Sequence, residues 1–166
     1  MKKTFVCTAL LLLSVGALAQ SLWRDVPAGA TVAQVSALIP EAVPAPATAP
    51  ATAQDERVLL HIPGVELVDA EFTVAFGFEQ DKLKSIVLQR QAGTAEQAQA
   101  IAQRLTGSLR SRYGLEISTK SRQEPLMAGV DRKWSYRRSS VHLQVLDGTV
   151  VRLRYAAEPV RASNQL

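Results

Sequence analysis

The sequence predicts an α+β fold in which an antiparallel sheet carries helices packed on one of its faces. Three observations support this class. Residues 94–114 have the spacing of an amphipathic helix, residues 71–78 alternate as a half-buried strand does, and Asp147-Gly148 is a typical hairpin turn between two further alternating runs. Because helix and strand patterns follow one another along the chain, we expect them to share one core.

The predicted helix at residues 94–114 has sequence signals at both ends. Thr94 and Gln97 have capping-box spacing, in which the hydroxyl accepts a free backbone N–H and the amide side chain bonds back to the cap. Gly114 can take the left-handed conformation that often ends a helix. The apolar residues recur at three- and four-residue spacing and share one face: Ala98, Ile101, Ala102, Leu105 and Leu109.

A shorter helix is predicted nearer the N-terminus. Thr31 and Gln34 repeat the capping-box spacing, and Pro40 is expected to stop the helix. We expect Trp23 to pack over this helix as a core residue. Its short apolar face consists of Val32, Val35, Leu38 and Ile39.

Strand patterns follow the short helix. Residues 57–62 form a β-type run that Pro63-Gly64 is expected to close, and residues 71–78 and 83–90 are predicted to pair as a hairpin. The inward side chains of the first hairpin strand are Phe72, Val74, Phe76 and Phe78.

The C-terminal half repeats this order. Residues 115–119 suit a short strand or an irregular exit from the helix, residues 121–129 a loop, and residues 133–138, 141–145 and 149–155 three alternating strands. Each half is thus a capped helix followed by two or three antiparallel strands. This weak internal repeat predicts two α-β-β(-β) units whose strands share one sheet.

The N-terminal residues 1–19 have the pattern of a cleavable signal peptide. Lys2 and Lys3 precede an apolar run too short to span a bilayer comfortably, and Ala17-Leu18-Ala19 is a small-x-small cleavage site. Cys7, the single cysteine, lies inside that run, so the mature chain would have neither a disulfide nor a thiolate metal site. We expect a periplasmic protein with no transmembrane segment after cleavage.

The mature chain is predicted to be one α+β domain over residues 20–157. A Pro/Ala/Thr-rich stretch at residues 44–54 is expected to be an exposed loop, and residues 158–166 a flexible tail. Residues 20–93 carry five basic and nine acidic residues, whereas residues 94–166 carry twelve basic and six acidic ones. This asymmetry indicates either two halves that attract each other or a basic surface for an acidic partner.

The best candidate binding surface is a basic cluster interleaved with aromatic residues. On neighbouring strands these side chains are predicted to form one sheet face, although charges that discourage edge-to-edge aggregation would leave the same pattern. Export argues against nucleic acid as the ligand. Peptidoglycan, lipid headgroups or an acidic protein, namely another envelope protein, fit the expected location better. The candidates are Arg132, Lys133, Trp134, Tyr136, Arg137, Arg138, Arg152 and Arg154.

The sequence offers no catalytic or cofactor-binding motif. His61 and His142 are the only histidines, and we interpret the first as a half-buried strand residue and the second as solvated. No Gly-x-Ser-x-Gly elbow or phosphate-binding glycine loop is present. The acid pairs Asp69/Glu71 and Glu79/Asp81 lie at turn ends, where carboxylates are ordinarily solvated. We therefore expect no catalytic residues, no metal and no cofactor.

One family resemblance is carried by residues 29–35 (GATVAQV), 72–76 (FTVAF) and 83–86 (LKSI). This pattern resembles the SmpA/OmlA small envelope proteins, and the tandem layout is similar to the β-lactamase inhibitor protein. The resemblance implies a fold of two helix-plus-hairpin units. The lipidated cysteine of the assembly lipoproteins is missing, and no inhibitory loop can be transferred.

The functional expectation is an exported, non-enzymatic protein-binding or inhibitor-like module. The alternatives are an envelope-maintenance scaffold and, as a third class, a hydrolase. Partner identity, oligomeric state and physiological role cannot be derived from these residues.

Overall fold

The computed structural model describes residues 21–49, 52, 55–119 and 130–158 and places eight strands of these residues in one antiparallel sheet. The strands are, in chain order, β1 Val43–Pro44, β2 Arg57–Leu67, β3 Ala70–Glu79, β4 Lys82–Gln91, β5 Ser118–Thr119, β6 Asp131–Tyr136, β7 Ser139–Leu146 and β8 Val150–Ala157. Their order across the sheet is β1-β2-β3-β4-β8-β7-β6-β5. The helices are α1 Val32–Leu38 and α2 Ala95–Tyr113. The α+β class predicted from the sequence is therefore confirmed.

Several predicted segments lie outside the described residues. These are the signal peptide at residues 1–19, the loop at residues 121–129 and the tail beyond residue 158. Of the helices in the described part of the chain, neither is long and apolar enough to cross a membrane.

Helix α2 matches its prediction except in one capping bond. The Thr94 hydroxyl accepts the N–H of Gln97 at 3.2 Å, and Gly114 ends the helix with a φ of 81°. The Gln97 side-chain oxygen accepts the N–H of Gly93 at 3.1 Å rather than that of the cap. Helix α2 contacts β6, β7 and β8. All five residues of its predicted apolar face are buried: Ala98, Ile101, Ala102, Leu105 and Leu109.

Helix α1 confirms the second capping box, formed by Thr31 and Gln34, and Trp23 is buried as predicted. The prediction that Leu38 belongs to the apolar face of this helix is wrong, since the residue is 53% exposed. Val35 is fully buried and is the centre of the apolar stripe. Because the helix has 3.6 residues per turn, Leu38 does not lie directly above Val35 but is rotated around the helix toward solvent.

Strand β2 continues past Pro63-Gly64 to Leu67, so the prediction that this pair closes the strand is wrong. The pairing between β2 and β3 shifts between Ile62 and Val65, which makes the Pro-Gly pair a bulge inside the strand. On its other side β2 pairs with β1 only upstream of the bulge. The missing N–H of Pro63 therefore interrupts no ladder there.

Alternation along the strands gives the sheet an apolar and a polar face. One row of paired residues on the apolar face crosses six strands, and every member is buried: Leu60, Phe76, Ile86, Tyr155, Val141 and Trp134. The adjacent row, on the polar face, contains His61, Ala75, Val87, Arg154, His142 and Lys133. The apolar-face residues and buried residues of both helices belong to one hydrophobic cluster.

The Pro/Ala/Thr-rich stretch is exposed at residues 46–48, as predicted, but Thr52 is buried, contrary to prediction. Residues 50, 51, 53 and 54 lie outside the described residues. The Thr52 carbonyl accepts a hydrogen bond from the Arg152 guanidinium at 2.8 Å. A Cβ at Gly77, on β3, would collide with the side chains of Thr52 and Glu56. These contacts place the end of the stretch over the polar face.

Candidate binding site at the β6–β7 hairpin

The structure separates the predicted basic surface, because neighbouring residues of a strand point to opposite sides of the sheet. Trp134 is completely buried, and its indole N–H donates to the Gly114 carbonyl at 3.1 Å. Arg132, two residues earlier on the same side of β6, binds the carboxylate of Glu116. Lys133, Arg152 and Arg154 belong to the polar face. The prediction of one continuous face is therefore wrong.

The remaining three candidates come together at the hairpin between β6 and β7. Tyr136 pairs with Ser139, and the two residues between them form the turn. Arg137 and Arg138 both have positive φ angles, of 48° and 64°. Two positive φ angles are typical of a type I′ turn, which Asn-Gly suits best, and each bulkier residue there costs about 1 kcal/mol or more. The turn therefore contains two arginines at the end of the sheet, in backbone conformations that arginine adopts only at a cost.

A cavity of about 780 Å³ lies beside this turn. Three parts of the chain enclose it: the segment before α1, the last turn of α2 and the β6–β7 hairpin. We call it the hairpin pocket. Its lining residues are Ser21, Leu22, Asp25, Arg112, Tyr113, Tyr136, Arg137, Arg138, Ser139 and Val141.

Hydrogen bonds hold the segment before α1 against the hairpin. The Ser139 hydroxyl donates to the Ser21 carbonyl at 3.3 Å, and the Ser21 hydroxyl donates to Asp25 Oδ1 at 3.3 Å. The backbone N–H of Leu22 donates to the Val26 carbonyl at 2.8 Å, which closes the segment on itself. The wall formed by the segment before α1 is thereby attached to β7, which forms another part of the pocket.

Two tyrosines and two arginines contact one another in series along the pocket. The rings of Tyr113 and Tyr136 have centroids 5.7 Å apart and are inclined by 56°. The Arg112 guanidinium lies 5.6 Å from the Tyr113 ring, and that of Arg137 lies 5.1 Å from the Tyr136 ring. These distances are typical of cation–π contacts. We call this group the Arg/Tyr ladder.

The charge of the pocket comes from its arginines. Tyr113 and Tyr155 hydrogen-bond through their phenol groups, and burial raises the pKa of both, so both stay neutral at ordinary pH. The described lining contains the guanidinium groups of Arg112, Arg137 and Arg138 against the single carboxylate of Asp25. The pocket therefore favours an anionic ligand.

The end of α2 that contributes to the ladder is held by an ion-pair cluster. Arg110 makes two contacts with Glu116, from Nε at 2.8 Å and from Nη2 at 2.6 Å, and Arg132 binds the same carboxylate from β6. The hydrogen bonds from Arg110 are the largest cause that lowers the pKa of Glu116, to about 2. The cluster joins the helix exit to the sheet close to Arg112 and Tyr113.

The histidines lie elsewhere. His61 is half-buried on β2, as predicted. The expectation that His142 is solvated is wrong, because it is half-buried with Nε2 2.6 Å from Asp131 Oδ1. Within the described residues, no three His, Cys, Asp or Glu side chains come together as a metal site would require.

The sequence analysis missed the half of the site that the β6–β7 hairpin does not supply. No role was assigned to Arg112 and Tyr113, in the last turn of α2, or to Asp25, in the turn between Ser21 and Pro27. No local sequence pattern marks these residues, because only the folded chain brings them beside the hairpin.

Comparisons with known proteins add little to these observations. No known family's sequence profile matches the chain, and no curated protein matches it. A solved structure similar to it is the crystal structure of a DUF4309 family protein (YjgB) from Bacillus subtilis subsp. subtilis str. 168. The two share 16% sequence identity over 78% of this chain and 79% of that chain, with a TM-score of 0.41. A similarity at that TM-score carries no argument about function.

Proposed function

We propose that this chain is an exported, non-enzymatic periplasmic protein that binds another envelope protein through the hairpin pocket and its rim. The Arg/Tyr ladder carries the proposal. Two tyrosine rings in contact, flanked by two guanidinium groups, line a cavity of about 780 Å³. Tyrosine and arginine are among the residue types that contribute most binding energy at protein interfaces.

The charge of the pocket indicates the kind of partner. The pocket is lined by Arg112, Arg137 and Arg138, which belong to the C-terminal part of the chain. Residues 94–166 contain twelve basic and six acidic residues. Such a surface attracts an acidic partner and speeds its association. An acidic region of a second protein is the ligand that suits it.

Export rests on the N-terminal residues 1–19, whose pattern is that of a cleavable signal peptide. Cleavage after Ala19 would leave Gln20 as the first residue. The next residue, Ser21, lines the hairpin pocket and forms a bridge with Pro27.

The non-enzymatic character is supported by the polar groups of the pocket. Among the described lining residues there is no histidine, and the Ser21 and Ser139 hydroxyls donate to Asp25 and to a backbone carbonyl. A serine nucleophile is ordinarily activated by a histidine or lysine base, and the described lining contains neither. The contacts of these hydroxyls are those of structural groups.

We also infer that the chain consists of two related units with both helices on the apolar face, as in the SmpA/OmlA-like and β-lactamase-inhibitor-like arrangement. The sheet order supports this, because β1-β2-β3-β4 is followed by β8-β7-β6-β5, as a two-fold axis between β4 and β8 would produce. The hairpin turns of the two halves are also alike, because both residues of each have positive φ: Val68-Asp69 and Gln80-Asp81 in the first half, Arg137-Arg138 and Asp147-Gly148 in the second.

A capture experiment tests the proposed function. The full chain with a C-terminal affinity tag is cross-linked in living cells, beside Arg137→Glu/Arg138→Glu and a control, Arg57→Glu/Arg104→Glu. The control reverses two exposed arginines outside the pocket and makes the same change in net charge. We expect one envelope protein to be retained by the unmodified chain and the control and lost by the hairpin variant. A partner held equally by both variants, or none above an untagged strain, would overturn the proposal.

A further inference from the structure

We infer that the hairpin pocket takes an acidic peptide segment of the partner, in which a carboxylate-bearing residue lies beside an apolar one. This inference rests on the proposed function and specifies its ligand. The carboxylate is bound by the rim arginines, and the apolar side chain packs on the tyrosine rings.

The requirement for a carboxylate comes from the rim. Arg137 and Arg138 are exposed, and they belong to a turn whose ends pair as Tyr136 and Ser139. A guanidinium group presents several N–H donors in a planar fork that matches the two oxygens of a carboxylate. Asp25 is the single carboxylate of the described lining, which leaves the arginines in excess.

The requirement for an apolar neighbour comes from the exposed aromatic surface. Tyr136 is 43% exposed in the pocket, beside Leu22 and Val141, which are almost fully covered at 5% and 1% exposure. A cavity of about 780 Å³ is of the size that accommodates an organic ligand. A lone inorganic anion would leave most of this space and the exposed surface of Tyr136 in contact with water.

A peptide-display selection tests the inference. A random peptide library is selected on the immobilised full chain, and enriched peptides are titrated by fluorescence anisotropy. We expect enrichment of sequences in which Asp or Glu adjoins Phe, Leu, Tyr or Trp. Replacing the acidic residues of such a peptide by amides should weaken binding about tenfold or more, since a charge-assisted hydrogen bond contributes about 1.5–3 kcal/mol, or tenfold per 1.4 kcal/mol.

Variants of the protein show where the peptides bind. Arg137→Gln/Arg138→Gln should abolish the enrichment, whereas the control Arg57→Gln/Arg104→Gln should keep it. The inference is overturned if no acidic sequence is enriched or if both variants select the same peptides. It is also overturned if inorganic phosphate displaces a bound peptide at millimolar concentration, or if anionic phospholipid vesicles bind the chain in an Arg137- and Arg138-dependent way while peptides do not.

The two proposals fail in different ways. If cells yield a partner that the charge-reversed hairpin loses, while the library yields no acidic peptide, the ligand class is wrong and the binding function stands. If the charge-reversed hairpin variant still captures the partner, the proposed function itself is wrong.

Discussion

The ring of Tyr113 lies 5.7 Å from the ring of Tyr136, although one residue ends helix α2 and the other ends strand β6. This contact joins the last turn of the helix to the β6–β7 hairpin. The Arg112 guanidinium lies over the Tyr113 ring, and the Arg137 guanidinium lies over the Tyr136 ring. Two separate parts of the chain thereby form one cationic and aromatic wall, on which the proposed function depends.

The first prediction concerns Tyr136. Because its side chain is 43% exposed, Tyr136→Ala should change the free energy of unfolding by about 1 kcal/mol or less, yet weaken partner binding by about 2 kcal/mol or more, as at an interface hot spot. Tyr136→Phe keeps the ring contacts and should retain most of the affinity. Thermal unfolding and a titration with the captured partner measure both effects. Equal affinities for the alanine variant and the unmodified chain would remove Tyr136 from the site.

The second prediction concerns Glu56, which joins the Pro/Ala/Thr-rich stretch to the sheet. Its side chain is 9% exposed, accepts a hydrogen bond from Arg154 at 2.9 Å and accepts another from the Ser85 hydroxyl. Glu56→Ala leaves these donors unpaired, so we expect a loss of about 1–3 kcal/mol in the free energy of unfolding.

Asp55→Ala, at the exposed neighbouring position, serves as the control and should cost about 0.5 kcal/mol or less. Limited proteolysis should cut the Glu56→Ala variant faster within residues 45–56 than either the control or the unmodified chain. Equal cleavage rates would contradict the position of this stretch over the polar face.

The third prediction concerns acid stability. The folded-state pKa of Glu116 is lowered from 4.5 to about 2, chiefly by hydrogen bonds from Arg110. The ionised carboxylate therefore stabilises the folded chain above pH 4.5, and this contribution is lost as the pH falls from about 4.5 to about 2. Glu116→Gln should flatten the decline of melting temperature in that range. Glu66→Gln, at an exposed position on β2, should leave the decline unchanged, and equal curves for the two variants would contradict the account.

The fourth prediction concerns Trp134, which the sequence analysis placed on a binding surface and the structure places in the core. Trp134→Ala should lower the free energy of unfolding by about 3–5 kcal/mol, because it opens a cavity and removes the bond to Gly114. Trp134→Phe should cost less. A change below about 0.5 kcal/mol in urea unfolding, as expected for a surface position, would place the indole outside the core.

Local signals in the sequence predicted the helices and the β3–β4 and β7–β8 hairpins well. The prediction that residues 133–138 form one strand is wrong, because β6 ends at Tyr136 and Arg137-Arg138 form the turn to β7. Thr94, Thr31 and Gly114 mark helix ends through bonds made within a few residues, so their roles can be derived without tertiary structure. The bulge at Pro63-Gly64 was mistaken for the end of β2. A proline fits inside a strand only where no neighbouring strand needs its missing N–H, and the sequence does not show how far β1 extends beside β2.

The site was predicted only in part, for a similar reason. Tyr136, Arg137 and Arg138 were chosen for their charge and aromatic character, and the structure brings them together at one turn. Arg152 and Arg154 share their chemistry but lie on the polar face, because alternation and strand order decide which side chains meet. Composition could not have supplied that order.

An exchange of turn residues tests the central claim, that the β6–β7 hairpin is the binding site, most directly. Arg137→Asn/Arg138→Gly should raise the free energy of unfolding by about 1 kcal/mol, because Asn-Gly suits positive φ angles, and the same change removes two guanidinium groups from the pocket. Gln80→Asn/Asp81→Gly makes the same exchange in the β3–β4 turn, where φ is 49° and 58°. We expect both variants to melt at a higher temperature than the unmodified chain and only the hairpin variant to lose the partner. A hairpin variant that is equally stabilised and still binds with unchanged affinity would contradict the account.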